Sequence, residues 1–329
     1  MMSTNKLQIA GWHTIERLLS SEASFLQPVI GVSNCAIAFD FELQNLSVAI
    51  PVDSSDLPAL LPKTLTMKIQ IIDGLSKLVV GCNSRELFRS FYDFLIEVIE
   101  LVFEGSSTPK EAVDEAWSKW GQLIEKESSL SKEKQIGLIG ELWLLQRIAS
   151  LHGWIYALDS WHKTALSEHD FCLPNVDIEV KSTTNENRTH MIGSLTQLQP
   201  SNGRELYLLS IQLTSASDIA VKSFSLATMV NSIIDEIDKE PNTLEMFIER
   251  LTKAGWQASH MRFYDTRFIF RSRTRFVFVD DNCPRMVEST LSGISQELRP
   301  RIGSVAYRVD VTGLGFEDGE HQFEKVLSA

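Results

Sequence analysis

The chain predicts an α/β fold, a mixed sheet flanked by helices, with an N-terminal α+β domain before it and a C-terminal α+β extension after it. Three observations predict this. Two strand pairs with turn signals open the chain and give way to long helices with apolar periodicity. Residues 136–237 then alternate helical and strand patterns in the order α-β-β-β-α-β, which builds a small mixed sheet between helices. Within that region Val176, Ile178 and Val180 alternate with Asp177, Glu179 and Lys181, the period-two pattern of a strand with one apolar and one charged side. At 329 residues the chain exceeds one ordinary core, and the pattern changes divide it at 1–107, 108–240 and 241–329.

Apolar spacing predicts a short helix over Trp12–Leu19. Two hairpins follow. One joins 35–43 to 46–52 through Gln44-Asn45, and the other joins 65–72 to 77–81 near Asp73-Gly74, a strong hairpin dipeptide. Ser84-Arg85-Glu86 starts a helix running through Phe103. Thr108-Pro109-Lys110-Glu111 is a capping box with proline at the first helical position, and its helix continues through Trp117 and Trp120. The helix over 136–149 carries one acid, Glu141, among Leu138, Leu142, Leu145 and Ile148. After Gly153 come a short strand over 154–158, the Asp170 segment, the Glu179 strand and a polar stretch with Gln197. A strand over 206–213 and a helix near 226–237 complete the middle region. Beyond Pro241 the pattern predicts a helix, an arginine-rich strand pair within 261–279 and a closing strand over 305–311. No internal repeat or low-complexity segment interrupts the chain.

A net charge of −12 argues against a surface that coats nucleic acid throughout, but leaves room for an enzyme with a local basic groove. No apolar run reaches the ~20 residues of a membrane span, and the leading residues lack a secretory apolar region. Cys35, Cys82, Cys172 and Cys283 are far apart and form no C-x-x-C pair, so reduced thiols in a cytoplasmic protein are the simplest reading. There is no Walker loop, no G-x-S-x-G elbow and no H-E-x-x-H, and the Gly313–Gly319 stretch has one residue too many for a dinucleotide fingerprint. The tryptophans at 117, 120, 143, 154 and 161 read as packing residues.

Asp170, Glu179 and Lys181 carry the chemistry. Two carboxylates and an amine meeting at a strand end can hold Mg²⁺ or Mn²⁺, which prefer hard oxygen ligands, and can assist phosphodiester cleavage. Glu141 adds weight, because a buried carboxylate in an apolar helical stripe is costly unless it meets a metal or a cation. The plainer alternative makes Glu179 and Lys181 a same-face ion pair and Glu141 a salt-bridged helix acid. Asp177 lies too near Glu179 to stand in for Asp170 and reads as a flanking residue. His169 and His190 can contact phosphate or water, although ordinary polar histidines are commoner, and Ser182 and Thr183 either donate to a phosphate or end the strand. Residues 261–276 interleave five arginines with aromatics, which suits either a DNA-contacting wall or a solvated strand face.

Taken in order, Gly137-Leu138-Ile139-Gly140-Glu141-Leu142-Trp143, Trp161, His169-Asp170-Phe171, Ile178-Glu179-Val180-Lys181-Ser182-Thr183 and Gln197-Leu198 resemble the bacterial DUF4420 family of the PD-(D/E)XK nuclease superfamily. The match is most specific over 135–215. It implies a restriction-endonuclease-like core and a Mg²⁺- or Mn²⁺-dependent DNA endonuclease of bacterial restriction or anti-phage defence. By the same resemblance Asp170 and Glu179 are metal ligands, Val180 supplies a backbone carbonyl, and Glu141 is an outer or second-metal ligand. Lys181 positions or activates the attacking water, and Gln197 contacts substrate or supports the lysine. The implied partners are DNA, a methyltransferase or a helicase-like ATPase of a defence operon, and a second copy of the chain for double-strand cutting; no membrane is implied. One departure from the motif is His169, which stands where the pattern has proline. Two rival readings remain: a catalytically silent DNA-binding or assembly subunit, and an enzyme acting on RNA or branched DNA ends.

Overall fold

The computed structural model describes residues 6–53, 65–105, 107–161, 169–217, 220–295 and 297–328. They fold as two compact units, Met1–Ser129 and Leu130–Ala329. The leading residues, where no secretory region was expected, lie partly outside the described set. No helix among the described residues is long and apolar enough to cross a membrane.

The first unit contains α1 (Trp12–Leu19), β1 (Phe25–Pro28), β2 (Ala36–Asp40), β3 (Asn45–Pro51), β4 (Leu65–Ile72), β5 (Leu75–Cys82), α2 (Phe88–Phe103) and α3 (Pro109–Glu127). Its five strands form an antiparallel sheet in the order β1-β2-β3-β5-β4. Alternation puts Ile37, Phe39, Leu46, Val48, Ile50, Leu78 and Val80 on one face, where they share a core with Phe88, Phe91, Leu95 and Val98 of α2. Asp73 (φ 53°) and Gly74 (φ 75°) take the two left-handed positions that the β4–β5 turn requires. The capping box of α3 forms with both reciprocal bonds between Thr108 and Glu111. The short edge strand β1, which carries a proline, has no counterpart in the sequence expectation.

The second unit contains α4 (Lys132–His152), α5 (Trp154–Ser160), β6 (Phe171–Cys172), β7 (Val176–Thr183), β8 (Thr189–Ile192), β9 (Glu205–Ser215), α6 (Leu226–Ile237), α7 (Pro241–Lys253), β10 (Phe268–Phe270), β11 (Arg275–Phe278), β12 (Tyr307–Asp310), β13 (Phe316–Glu317) and α8 (His321–Leu327). The main sheet is mixed, in the order β13-β11-β9-β7-β6 with β10 also on β9; β7 and β9 run parallel and the other pairs antiparallel. A separate two-stranded ribbon pairs β8 with β12. The unit is thus α/β, with a mixed sheet flanked by helices, and the elements after Pro241 share its core through Phe247, Leu251, Phe276 and Phe323.

Two sequence expectations are corrected. Residues 154–158 are helical, not a strand: Gly153 (φ 87°) ends α4 and the chain re-enters a helix at once, burying Ala157, Leu158 and Ser160 while Ile155 faces out. The arginine-rich segments are not paired with each other. Both lie antiparallel to β9 as two pieces of one strand, and residues 271–274 bulge out between the Phe270↔Leu213 and Arg275↔Ser210 pairs. Arg188 fills the bulge: its Nη2 donates to Ser272 Oγ (2.8 Å) and Arg273 O (2.5 Å), and its Nη1 to Ser210 O (2.7 Å).

Helix α4 is apolar around most of its circumference because it is central to this unit, with Leu138, Ile139, Leu142, Leu145 and Ile148 all buried. Its approach to β7 depends on Gly140. A Cβ there would collide with Ser182 Oγ and meet Val180 Cγ1 at 3.1 Å and Ile211 Cδ1 at 3.2 Å. Gly140→Ala should therefore lower stability by about 1–3 kcal/mol in urea unfolding. Adding Ser182→Ala should recover part of that loss, because the Ser182 hydroxyl is buried without a hydrogen-bond partner among the described residues. A double variant no more stable than Gly140→Ala would show that the collision is not at Ser182.

Candidate active site

Strand β7 is buried on both faces, which a half-solvated strand would not be. Val176, Ile178 and Val180 join the helix-covered core. The in-register pairs Asp177↔Leu206, Glu179↔Leu208 and Lys181↔Ser210 place the charged side chains on the opposite face. There, Leu206 and Leu208 pack with Ile192, Val309 and Val311, residues of the β8–β12 ribbon and the residue that follows it. Asp177 (2 % exposed) and Glu179 (3 %) therefore lie inside the protein, and each must be neutralised there.

Asp177 is neutralised completely. Arg204 Nε reaches both carboxylate oxygens at 3.0 Å, and its Nη2 donates to Oδ1 at 2.8 Å. The same guanidinium donates to the carbonyls of Pro174 (2.8 Å) and Leu173, closing the β6–β7 hairpin. Burial disfavours the Asp177 charge, yet Arg204, helped by Cys172 and His169, outweighs it and holds the carboxyl below its ordinary range. His169 Nδ1 stands 3.7 Å from the same carboxylate. The flanking role expected for Asp177 is thus a structural ion pair.

Glu179 is neutralised only in part. Lys181 Nζ lies 2.6 Å from its Oε1. Burial first, then the nearby carboxylates of Asp170 and Glu141, outweigh the lysine and push the Glu179 carboxyl up to about 8. Asp170 reaches this point because β6 is only two residues long. Beyond the Phe171↔Ile178 pair the edge of β7 is left open, and the Val180 N–H donates to Asp170 Oδ2 at 2.8 Å. In a strand the N–H and C=O of one residue face the same edge, so the Val180 carbonyl also faces the side where Asp170 lies. Glu141, on the fully buried stretch of α4, accepts from the Trp161 indole N–H at 2.8 Å, and Trp161 is itself fully buried. Gln197 Oε1 accepts from Gly193 N–H at 2.8 Å.

Glu141, Asp170, Glu179, Val180, Lys181 and Gln197 all line one cleft of about 700 Å³. They come from α4, the turn before β6, strand β7 and the loop before β9. Lys132 and Glu133 at the start of α4, Asn185 and Arg308 line it too, none of them given a role from the sequence, and so does His190, which the sequence offers as a contact to phosphate or water or as an ordinary polar histidine. Of these only His190 carried a signal, the inward alternation of His190 and Ile192 in β8. Arg308 had none, because it reaches the cleft through the pairing Arg308↔Met191 with a strand distant in sequence. Among the described residues no three His, Cys, Asp or Glu side chains converge tightly enough to form a metal-binding group by themselves.

The arginine-rich segment divides. Arg275 pairs with Glu317 (2.6 Å), Arg267 donates to Ser223 Oγ and O (both 2.7 Å), and Arg262 lies over the Phe263 ring. Arg271 and Arg273, on the bulge, are exposed.

A family model described as "Putative PD-(D/E)XK family member, (DUF4420)" matches residues 37–312 of the chain. No curated protein and no solved structure matches it.

The two acids should respond differently to substitution. Arg204→Ala strands the Asp177 carboxylate inside the protein and should cost about 3 kcal/mol, read by urea unfolding at pH 7. A loss below the error of the measurement would remove the ion pair from the account. For Glu179, whose ordinary value is 4.5, the folded state holds a proton that the unfolded chain releases between about pH 4.5 and 8. Stability contributed by the protonated acid is therefore lost as pH rises through that window. In EDTA, Glu179→Gln should melt above wild type by on the order of a few degrees at pH 8, with the gap shrinking toward pH 5. A gap independent of pH would contradict this.

Proposed function

The chain belongs to the DUF4420 family of PD-(D/E)XK members, and on that premise we propose that it is a metal-dependent DNA endonuclease with a restriction-endonuclease-like core. The observation that carries the reading is the convergence of Glu141, Asp170, Glu179, Lys181 and Gln197 on one cleft. Few spacings scattered over separate elements would meet this way without a shared task, although function resides in the site and not in the fold.

The donor set fits a hard dication. Three carboxylates face one lysine, and Glu179 is left incompletely neutralised. Asp170, Glu179 and the Val180 carbonyl would hold Mg²⁺ or Mn²⁺, with Glu141 as an outer ligand. Such ions keep several waters and need few carboxylates, so a tight cage of three side chains is not required. When bound, the ion supplies Lewis-acid polarisation of the phosphate and a more acidic water. The chain's own residues do the rest. Lys181 Nζ, tethered by Glu179, orients the attacking water and donates to the phosphate oxygens as charge builds on them. Gln197, anchored through its Oε1, offers its amide nitrogen to the substrate or to Lys181. Arg271 and Arg273 are exposed and suited to phosphate contacts.

The family resemblance extends the reading to bacterial restriction or anti-phage defence in the cytoplasm. A methyltransferase or helicase-like ATPase would supply recognition, and a homodimer would cut both strands. The deciding experiment is cleavage of plasmid and linear DNA with Mg²⁺, Mn²⁺ or EDTA. Metal-dependent cutting by wild type should fall at least a hundredfold in Lys181→Ala, on the order of the 10²–10⁴ that a positioned proton-transfer or charge-stabilising group contributes. Folded wild type that binds DNA stoichiometrically without turnover would instead favour a catalytically silent DNA-binding or assembly subunit.

A further inference from the structure

Beside Lys181 the cleft holds a histidine whose polar contacts are half complete. His190 sits on β8, is 3 % exposed and lines the cleft. Its Nε2 lies 2.8 Å from Ser210 Oγ. The same hydroxyl oxygen accepts from Arg188 Nη1 at 3.0 Å. Arg188 can only donate, so the one proton of Ser210 is available for the imidazole. Donation from Ser210 to Nε2 uses that proton and leaves the ring proton on Nδ1. His190 Nδ1 is buried and has no hydrogen-bond partner among the described residues.

The surroundings keep this ring neutral. Burial first, then the positive charges of Lys181 and Arg188, drive the imidazole down to about 3. A neutral ring fixed by Ser210 presents a single N–H with no partner among the described residues, and such a group costs free energy until something accepts from it. The cleft is the polar space that His190 borders; of its lining, Lys132, Lys181 and Arg308 favour an anion, against the carboxylates of Glu133, Glu141, Asp170 and Glu179.

We propose that His190 is a phosphate-binding residue of this cleft, its Nδ1–H donating to a non-bridging phosphodiester oxygen while Ser210 and Arg188 fix its tautomer. This rests on the nuclease reading for the identity of the anion. It goes beyond that reading by adding a neutral donor on β8 and a buried Arg188–Ser210–His190 chain that sets the donor's direction. A neutral donor can stabilise charge on the phosphate without adding to the repulsion on Lys181 that a protonated histidine would bring.

The test uses the full-length protein and thymidine 3′,5′-bisphosphate as probe, so that no turnover is needed. In protein labelled with ¹⁵N-histidine, His190 should show the neutral Nδ1–H tautomer, and the Nδ1 proton should shift downfield as the probe is added. Two variants separate the nitrogens. Asparagine places its amide nitrogen near Nδ1, whereas glutamine places its own near Nε2. His190→Asn should keep probe affinity within about threefold, and His190→Gln should lose roughly tenfold or more, the worth of a hydrogen bond to a charged group. An Nε2–H tautomer, a ring unmoved by the probe, or affinity kept by His190→Gln and lost by His190→Asn would each overturn the proposal and leave His190 a link to Ser210. If both variants lose affinity, the response of the wild-type ring to the probe decides. Plasmid cleavage by wild type is scored separately. Cutting without a ring response sinks only the His190 proposal, and a ring response without cutting sinks the nuclease reading while the phosphate site stands.

Discussion

A strand that buries two carboxylates must neutralise both, and the way β7 does so organises the second unit. Asp177 is enclosed by the Arg204 guanidinium, which also ties the carbonyls of Leu173 and Pro174 and so sets the hairpin in front of the strand. Glu179, on the same face, receives Lys181 among the described residues while two more carboxylates act on it. One acid is stabilised by its surroundings and the other is held at a cost. A buried carboxyl left partly neutralised, with its pKa pushed up and lining a cleft, marks a candidate functional group.

The same contrast explains where the cleft opens. Pairing with β6 ends after Cys172↔Asp177 and Phe171↔Ile178, and the next ladder donor, Val180 N–H, is taken by the side chain of Asp170. A longer β6 would satisfy that donor with backbone and seal the edge. Terminating it early satisfies the backbone and brings a carboxylate to the open edge in one step. On one side Gly140 lets α4 approach closely enough for Glu141 to reach the cleft. Across the sheet the β8–β12 ribbon covers the charged face and supplies His190 and Arg308.

Much of this was legible locally. The Thr108 capping box, the Asp73-Gly74 turn and the alternation of residues 176–181 each correspond to an observed element, because hydrogen-bonding and packing periods act over a few residues. The helix at 154–160 is not legible locally, since a short apolar run has no period long enough to separate strand from helix. The arginine-rich segment predicts a strand pair, because nothing in its composition records that both halves pair with β9 or that Arg188 fills the gap between them. Trp161 read as packing and does pack, but its indole N–H also holds Glu141, a bond between elements that no local pattern encodes.

By itself the sequence determined the identity and order of the chemically able groups, Glu141, Asp170, Glu179, Lys181 and Gln197, and the α/β character of the region that bears them. Side-chain chemistry and element period are properties of residues and their near neighbours. Tertiary structure alone decided that Asp177 is structural while Glu179 is strained, that Val180 turns its backbone to an open edge, and that His190 and Arg308 border the same cleft. Each of those outcomes depends on burial and on charges brought together from distant parts of the chain. The free energy of a buried charge is set by what surrounds it in space.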